Sequence, residues 1–164
     1  MAELTKLESK LGEVMGLAMA AQGATKKVLT LAKDENESVT SLLERMHDEA
    51  AETERRCEDL AGSFDGKKTA ILEEASTVKA KGSEMMSTYL EPDSDALDGF
   101  EFLTMAEAAE VGHWGVLKTL NERAGFPEIR ELVEWALPIQ ERHFAGVTTT
   151  SLELASEENP DAPA

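Results

Sequence analysis

Glu110-Val111-Gly112-His113 lies in a stretch, Ala96 to Arg123, that holds no proline and is rich in helix-forming residues. Residues three apart on a helix share a face, so the carboxylate and the imidazole can reach one point. The spacing recurs at Glu44-x-x-His47 and, with an amide in place of the carboxylate, at Gln140-x-x-His143; together these use all three histidines of the chain. Each pair sits in a segment whose pattern predicts a long helix. The fold therefore turns on how those helices are arranged.

Working outward, Glu91-Pro92-Asp93-Ser94-Asp95 is the strongest helix breaker, and the helix after it, Ala96 to Arg123, is expected to turn Phe102, Met105, Ala106, Ala109, Val116, Leu117 and Leu120 inward. Ala124-Gly125-Phe126-Pro127 stops it and starts another, with Pro127 suited to a first helical turn; this last helix is predicted to reach Leu154 and to bend at Pro138. Upstream, Glu3 to Ala32 carries the stripe Leu4, Leu7, Leu11, Met15, Ala18, Thr25, Leu29, and Glu37 to Ala61 carries Val39, Leu42, Leu43, Met46, Ala50, Thr53, Cys57 and Leu60. A shorter helix is expected over Lys68 to Leu90, weakened by Gly82. Short links between the first two and the last two helices predict two antiparallel hairpins, and the remaining helix provides the crossover. The expected fold is all-α: a four-helix bundle of two antiparallel hairpins with an extra crossover helix, residues 1–155. An up-down bundle with an added helix is the competing layout. Residues 156–164, polar with two prolines, are expected to be disordered.

Composition narrows the function. At 164 residues the chain supports one domain with a real core. A formal charge of −17 argues against phosphate-backbone binding and against an anionic membrane surface. Cys57 is the one cysteine, so no intramolecular disulfide can form. Val14 to Ala21, preceded by Lys6 and Lys10, faintly resembles a signal peptide, but Glu3, Glu8 and Glu13 spoil that pattern, and a cytoplasmic location is expected.

Polar side chains on apolar faces carry the chemistry. Gln22 interrupts the stripe of the first helix, His113 is placed centrally on its helix with Glu110 at the edge, and Gln140 and His143 interrupt the stripe of the last. On the second helix His47 and Glu49 lie on opposite shoulders of the apolar face, with Glu44 further out. Burying such groups without partners costs roughly 2–7 kcal/mol each, so several at similar heights imply a shared polar centre. Either a hydrogen-bonded network or a metal satisfies it. Glu-x-x-His on separate helices is the ligand pattern of di-iron carboxylate bundles. The candidate ligands are Gln22, Glu44, His47, Glu49, Glu110, His113, Gln140 and His143. Glutamine at 22 and 140 brings no charge, which reduces the set to one transition metal, iron or zinc, or to none.

Two motifs carry a resemblance. Glu49-x-x-Glu52-Thr53-Glu54, followed by Glu58-Asp59-Leu60, and Ala108-Ala109-Glu110-Val111-Gly112-His113-Trp114-Gly115 are similar to signatures of the ferritin-like superfamily, nearest the YciF-type bacterial stress-associated proteins. Gly112 and Gly115 replace acidic positions of that pattern, and Gln22 falls near its first-helix glutamate. The resemblance implies a metal-binding bundle handling iron or reactive oxygen under oxidative or osmotic stress. The alternative is a non-catalytic interaction or assembly module with a structural polar core. The small-residue strip Gly12, Gly16, Ala20, Gly23 marks close approach of a helix, either within the bundle or across a homodimer or larger homo-oligomer; Trp114 and Trp135, placed off the centres of their faces, point to further contact surface. Whether the chain is an enzyme stays open.

Overall fold

The computed structural model describes residues 2–163 and contains five helices: α1 (Lys6–Leu31), α2 (Glu37–Ala61), α3 (Lys68–Tyr89), α4 (Ala96–Ala124) and α5 (Pro127–Glu157). Local chemistry sets their ends. Thr5 and Glu8 form a reciprocal capping box on α1, and Asp95 and Asp98 do the same for α4. Asn36 accepts from the backbone of Ser38 and Val39 to start α2. Gly125, at φ 75°, closes α4 in the left-handed conformation that glycine adopts without strain, and Pro127 opens α5. Despite Pro138, α5 runs on as one helix to Glu157, and residues 158–163 lie beyond it, exposed.

α1 pairs with α2 and α4 with α5, as expected from the short links, and α1·α4 and α2·α5 contacts close the four-helix bundle. Val28 against Gly99 and Glu13 against His113 show that α1 and α4 run antiparallel. Leu42 against Gly146 and Arg56 over Trp135 show the same for α2 and α5. Every neighbouring pair of the four-helix bundle is thus antiparallel, while α2 and α4, joined through α3, run the same way across the diagonal; α3 itself runs parallel to α1. This is the expected layout of two hairpins with a crossover helix.

α3 lies along the outside of α1, and glycine makes that possible. A Cβ on Gly16 would stand 2.4 Å from the carbonyl oxygen of Ala75, and one on Gly12 would stand 2.8 Å from that of Ile71. The front half of the small-residue strip therefore serves packing inside the chain. Gly23 faces open space.

The core falls into two apolar clusters. One holds Leu11, Cys57, Ile71, Trp114, Ile129 and Ala136; the other holds Val28, Leu43, Phe100, Leu103 and Val147. Trp114 is fully buried, so its expected place off the centre of the face is corrected, and the phase of α4 is corrected with it. Its buried line is Phe100, Leu103, Glu107, Glu110, Trp114, Leu117 and Asn121, in alternating steps of three and four, whereas Met105 and Val116 are exposed. Trp135 is half-buried, with the Arg56 guanidinium 4.0 Å over its ring. Among the described residues no helix is long and apolar enough to cross a membrane.

Candidate functional site

Between the two apolar clusters lies a layer that belongs to neither. On α1 it consists of Ala18 and Ala21, on α2 of Ala50 and Thr53, on α4 of Glu107 and Glu110, and on α5 of Gln140 and His143, all buried. Each helix keeps its inward spacing through this layer, so the same periodicity that packs the core brings these residues to mid-bundle. Small side chains on α1 and α2 face large polar ones on α4 and α5. The division leaves room for the latter.

His143 is the hub. Only 3 % of its side chain is exposed, and it lies between two carboxylates. Glu49, reaching in from the flank of α2, has Oε2 2.8 Å from Nε2 and also accepts from Arg142 at 2.5 Å. When Glu49 is ionised, Nε2–H is the donor of that contact, and Nδ1 is turned to the interior. There it faces Glu107 Oε2 at 3.6 Å, a separation too long for a hydrogen bond. Glu110 lies one turn further along α4; burial, and then the charge of Glu107, raise its carboxyl well above the usual range.

The layer is short of donors. Glu107 Oε2, Glu110 Oε2 and Gln140 Oε1 are buried without a hydrogen-bond partner, and so is the indole N–H of Trp114. Three oxygens without partners in one layer are costly unless a donor or a cation joins them.

Of the eight residues expected from sequence, Glu49, Glu110, Gln140 and His143 belong to this layer or reach it. The other four stand apart. Gln22 is half-buried between α1 and α2 and donates to Glu54 Oε2 at 2.5 Å. Glu44 is exposed, and His47, with 41 % of its side chain exposed, meets its neighbour Asp48 at 3.5 Å. His113 is turned out of the core, 39 % exposed, with Nδ1 3.2 Å from both Lys10 Nζ and Glu13 Oε2. Its central placement is corrected: Glu110 takes the inward position and the histidine three residues later leaves it, because the core line of α4 continues through Trp114. Glu107 is the residue that the sequence reading missed. The alternating run Phe100, Leu103, Glu107, Glu110, Trp114, Leu117 is the signal that marks it.

Among the described residues no group of three or more His, Cys, Asp or Glu side chains stands converged on one cation. The donor set nevertheless fits one in kind. A metal held at about 2.0–2.2 Å by one nitrogen and one oxygen in tetrahedral geometry separates them by about 3.4 Å, close to the observed gap between His143 and Glu107. A ligating histidine that donates its other ring N–H to a carboxylate is the usual supporting arrangement, and Glu49 supplies that carboxylate. Cys57 plays no part: it is fully buried in the apolar cluster, and desolvation holds its thiol well above the ordinary value. No family model matches the chain, and no curated protein or solved structure matches it either.

Proposed function

We propose that the protein is a ferritin-like bundle whose mid-bundle layer binds a single transition-metal ion, with His143 and Glu107 as its first ligands and Glu110 joining them by a change of rotamer. The reading rests on one observation above the others: three buried carboxyl and amide oxygens lack partners in the layer where His143 Nδ1 faces Glu107 Oε2 at 3.6 Å. A cation would answer all of these at once and would favour the ionised form of Glu110, which burial first and the charge of Glu107 second disfavour. Gln140 offers a neutral amide oxygen, and Glu49 orients the imidazole from outside. With only one histidine and two carboxylates, the set suits one ion better than a bridged pair.

When bound, iron would supply redox chemistry and zinc Lewis-acid chemistry. The chain's own residues give that ion a dry enclosure between apolar clusters, an imidazole oriented by Glu49, and in Glu110 a carboxyl whose ionised form the cation would favour.

A second reading has a specific observation behind it. A protonated His143 could donate to Glu49 and Glu107 together as a structural ion triad. It accounts for His143 and Glu107 and leaves Glu110 Oε2 and Gln140 Oε1 without partners, so the metal reading explains more.

Elemental analysis after purification without chelator distinguishes the two. The expected result is close to one metal per chain, lost in His143→Ala and in Glu107→Ala and kept in His113→Ala. Metal-free protein, even after incubation with ferrous and zinc salts, or metal retained in both His143→Ala and Glu107→Ala, would overturn the metal reading.

A further inference from the structure

A crevice of about 190 Å³ opens between α1, α3 and α4 and reaches inward to the polar layer. Its walls are apolar, formed among others by Leu17 and Ala20 of α1, Val78 and Met85 of α3, and Phe102 of α4. Glu107 and Glu110, each almost wholly buried and each with an unpartnered carboxyl oxygen, also line it. Lys81 and His113 stand at its edge. The space exists because small side chains line it: Ala20, Ala21, Ala24, Ala106 and Ala109.

An apolar crevice lined also by acceptors lacking donors selects a particular shape of ligand. It calls for a hydrocarbon tail and one compact head rich in N–H groups. A chain with a formal charge of −17 also gathers cations and repels anions around itself. We infer that the α1–α3–α4 crevice binds a primary aliphatic amine, with the ammonium seated against Glu107 and Glu110 and the alkyl chain lying along Leu17, Val78, Met85 and Phe102. An ammonium has three donors and no acceptor, which complements two carboxyl oxygens without competing lone pairs. A carboxylic acid of equal length would meet like charge at these glutamates. An alkane would leave the acceptors unpaired, and water would leave the walls unfilled.

The inference uses the same two glutamates as the proposed metal but does not depend on a metal being bound, so it is tested on chelator-treated protein of full length. Hexylamine is titrated into the isotopically labelled chain and followed by amide chemical shifts. Saturable shifts are expected around Ala20, Ala106 and Glu110, with affinity rising about fourfold per methylene from propylamine to hexylamine. Hexanoate is expected to leave these amides unmoved. Glu107→Gln should weaken hexylamine at least tenfold. Ala109→Phe, at an exposed position beside the mouth, should block entry without disturbing the core. Shifts confined to the acidic helix surfaces, affinity independent of chain length, or unaltered binding in Ala109→Phe would each overturn the inference.

The two proposals separate cleanly. His143 does not line the crevice, so His143→Ala should lose metal and keep hexylamine, whereas Ala109→Phe should lose hexylamine and keep metal.

Discussion

Two pairs of identical spacing meet opposite fates in this molecule. In Gln140-x-x-His143 both side chains are buried in the middle of the bundle, while in Glu110-x-x-His113 the glutamate is buried and the histidine leaves the core. The local motif does not decide this. The phase of the whole helix does. On α5 the buried line Ile129, Val133, Ala136, Gln140, His143, Val147 passes through both members of the pair. On α4 it passes through Glu107 and Glu110 and then, four residues on, through Trp114. A three-residue spacing is thus compatible with either outcome, and only the anchors one and two turns away tell which applies.

The largest way to break that comparison is to truncate each histidine in turn. His143→Ala leaves Glu49 without its buried donor and opens a cavity beside Glu107, and losing a buried hydrogen-bond partner of this kind costs about 1–3 kcal/mol. His113→Ala removes a half-exposed side chain and should change stability by less than about 0.5 kcal/mol. Urea denaturation of the two variants measures the difference directly. Equal midpoints would mean that the buried hub contributes no more than the surface contact.

The next test concerns Glu110. In the folded chain its carboxyl keeps a proton well above the ordinary value of 4.5, through burial first and the neighbouring Glu107 second. The native state therefore binds more protons than the unfolded chain from about pH 4.5 upward, and stability contributed by the protonated form falls as pH rises through that interval. A difference of one whole proton corresponds to a slope of about 1.4 kcal/mol per pH unit. In chelator-treated protein, Glu110→Gln should remove most of this slope, because the amide mimics the protonated acid and does not titrate. The comparison is the difference between the two pH profiles, which cancels the remaining carboxylates. Parallel profiles would mean that Glu110 lies in a wetter place than its burial indicates.

Much of the architecture was legible before any coordinates. The breakers at Glu91–Asp95 and Ala124–Pro127 and the long stripes of α1 and α2 fix five helices to within a few residues, since turn chemistry and period are local properties. The candidate site was legible only by half. His143, Gln140, Glu110 and Glu49 stood out as polar residues on or near apolar faces. Glu107 did not, because α4 is rich in alanine and glycine on more than one face: Ala106, Ala108, Ala109, Gly112 and Gly115 give hydrophobicity little contrast around the helix. With the face unclear, Met105 and Val116 passed for core residues and the wheel was turned the wrong way. The bulky anchors Phe100 and Trp114 settle the phase, since each fills a hole that only another helix can line. Gln22 misled for a different reason: at the edge of its stripe a long side chain can turn sideways, and here it turns to Glu54.

Glycines sharpen the contrast between buried and outward faces at smaller cost. At Gly16 an added Cβ would meet backbone and side-chain atoms of α3, so Gly16→Ala must push α3 outward and should destabilise by about 1–3 kcal/mol, as overpacking does. Such a shift would also widen the wall of the amine crevice, which the hexylamine titration would register. Gly112 and Gly115 lie on the outward side of α4, where an added Cβ meets nothing within 4 Å. There only the helix-propensity term operates. Gly112→Ala and Gly115→Ala should each raise stability by up to about 1 kcal/mol and leave metal content unchanged. A loss of stability or of metal from either substitution would place that face against a partner, and the boundary between inside and outside on α4 would have to be redrawn.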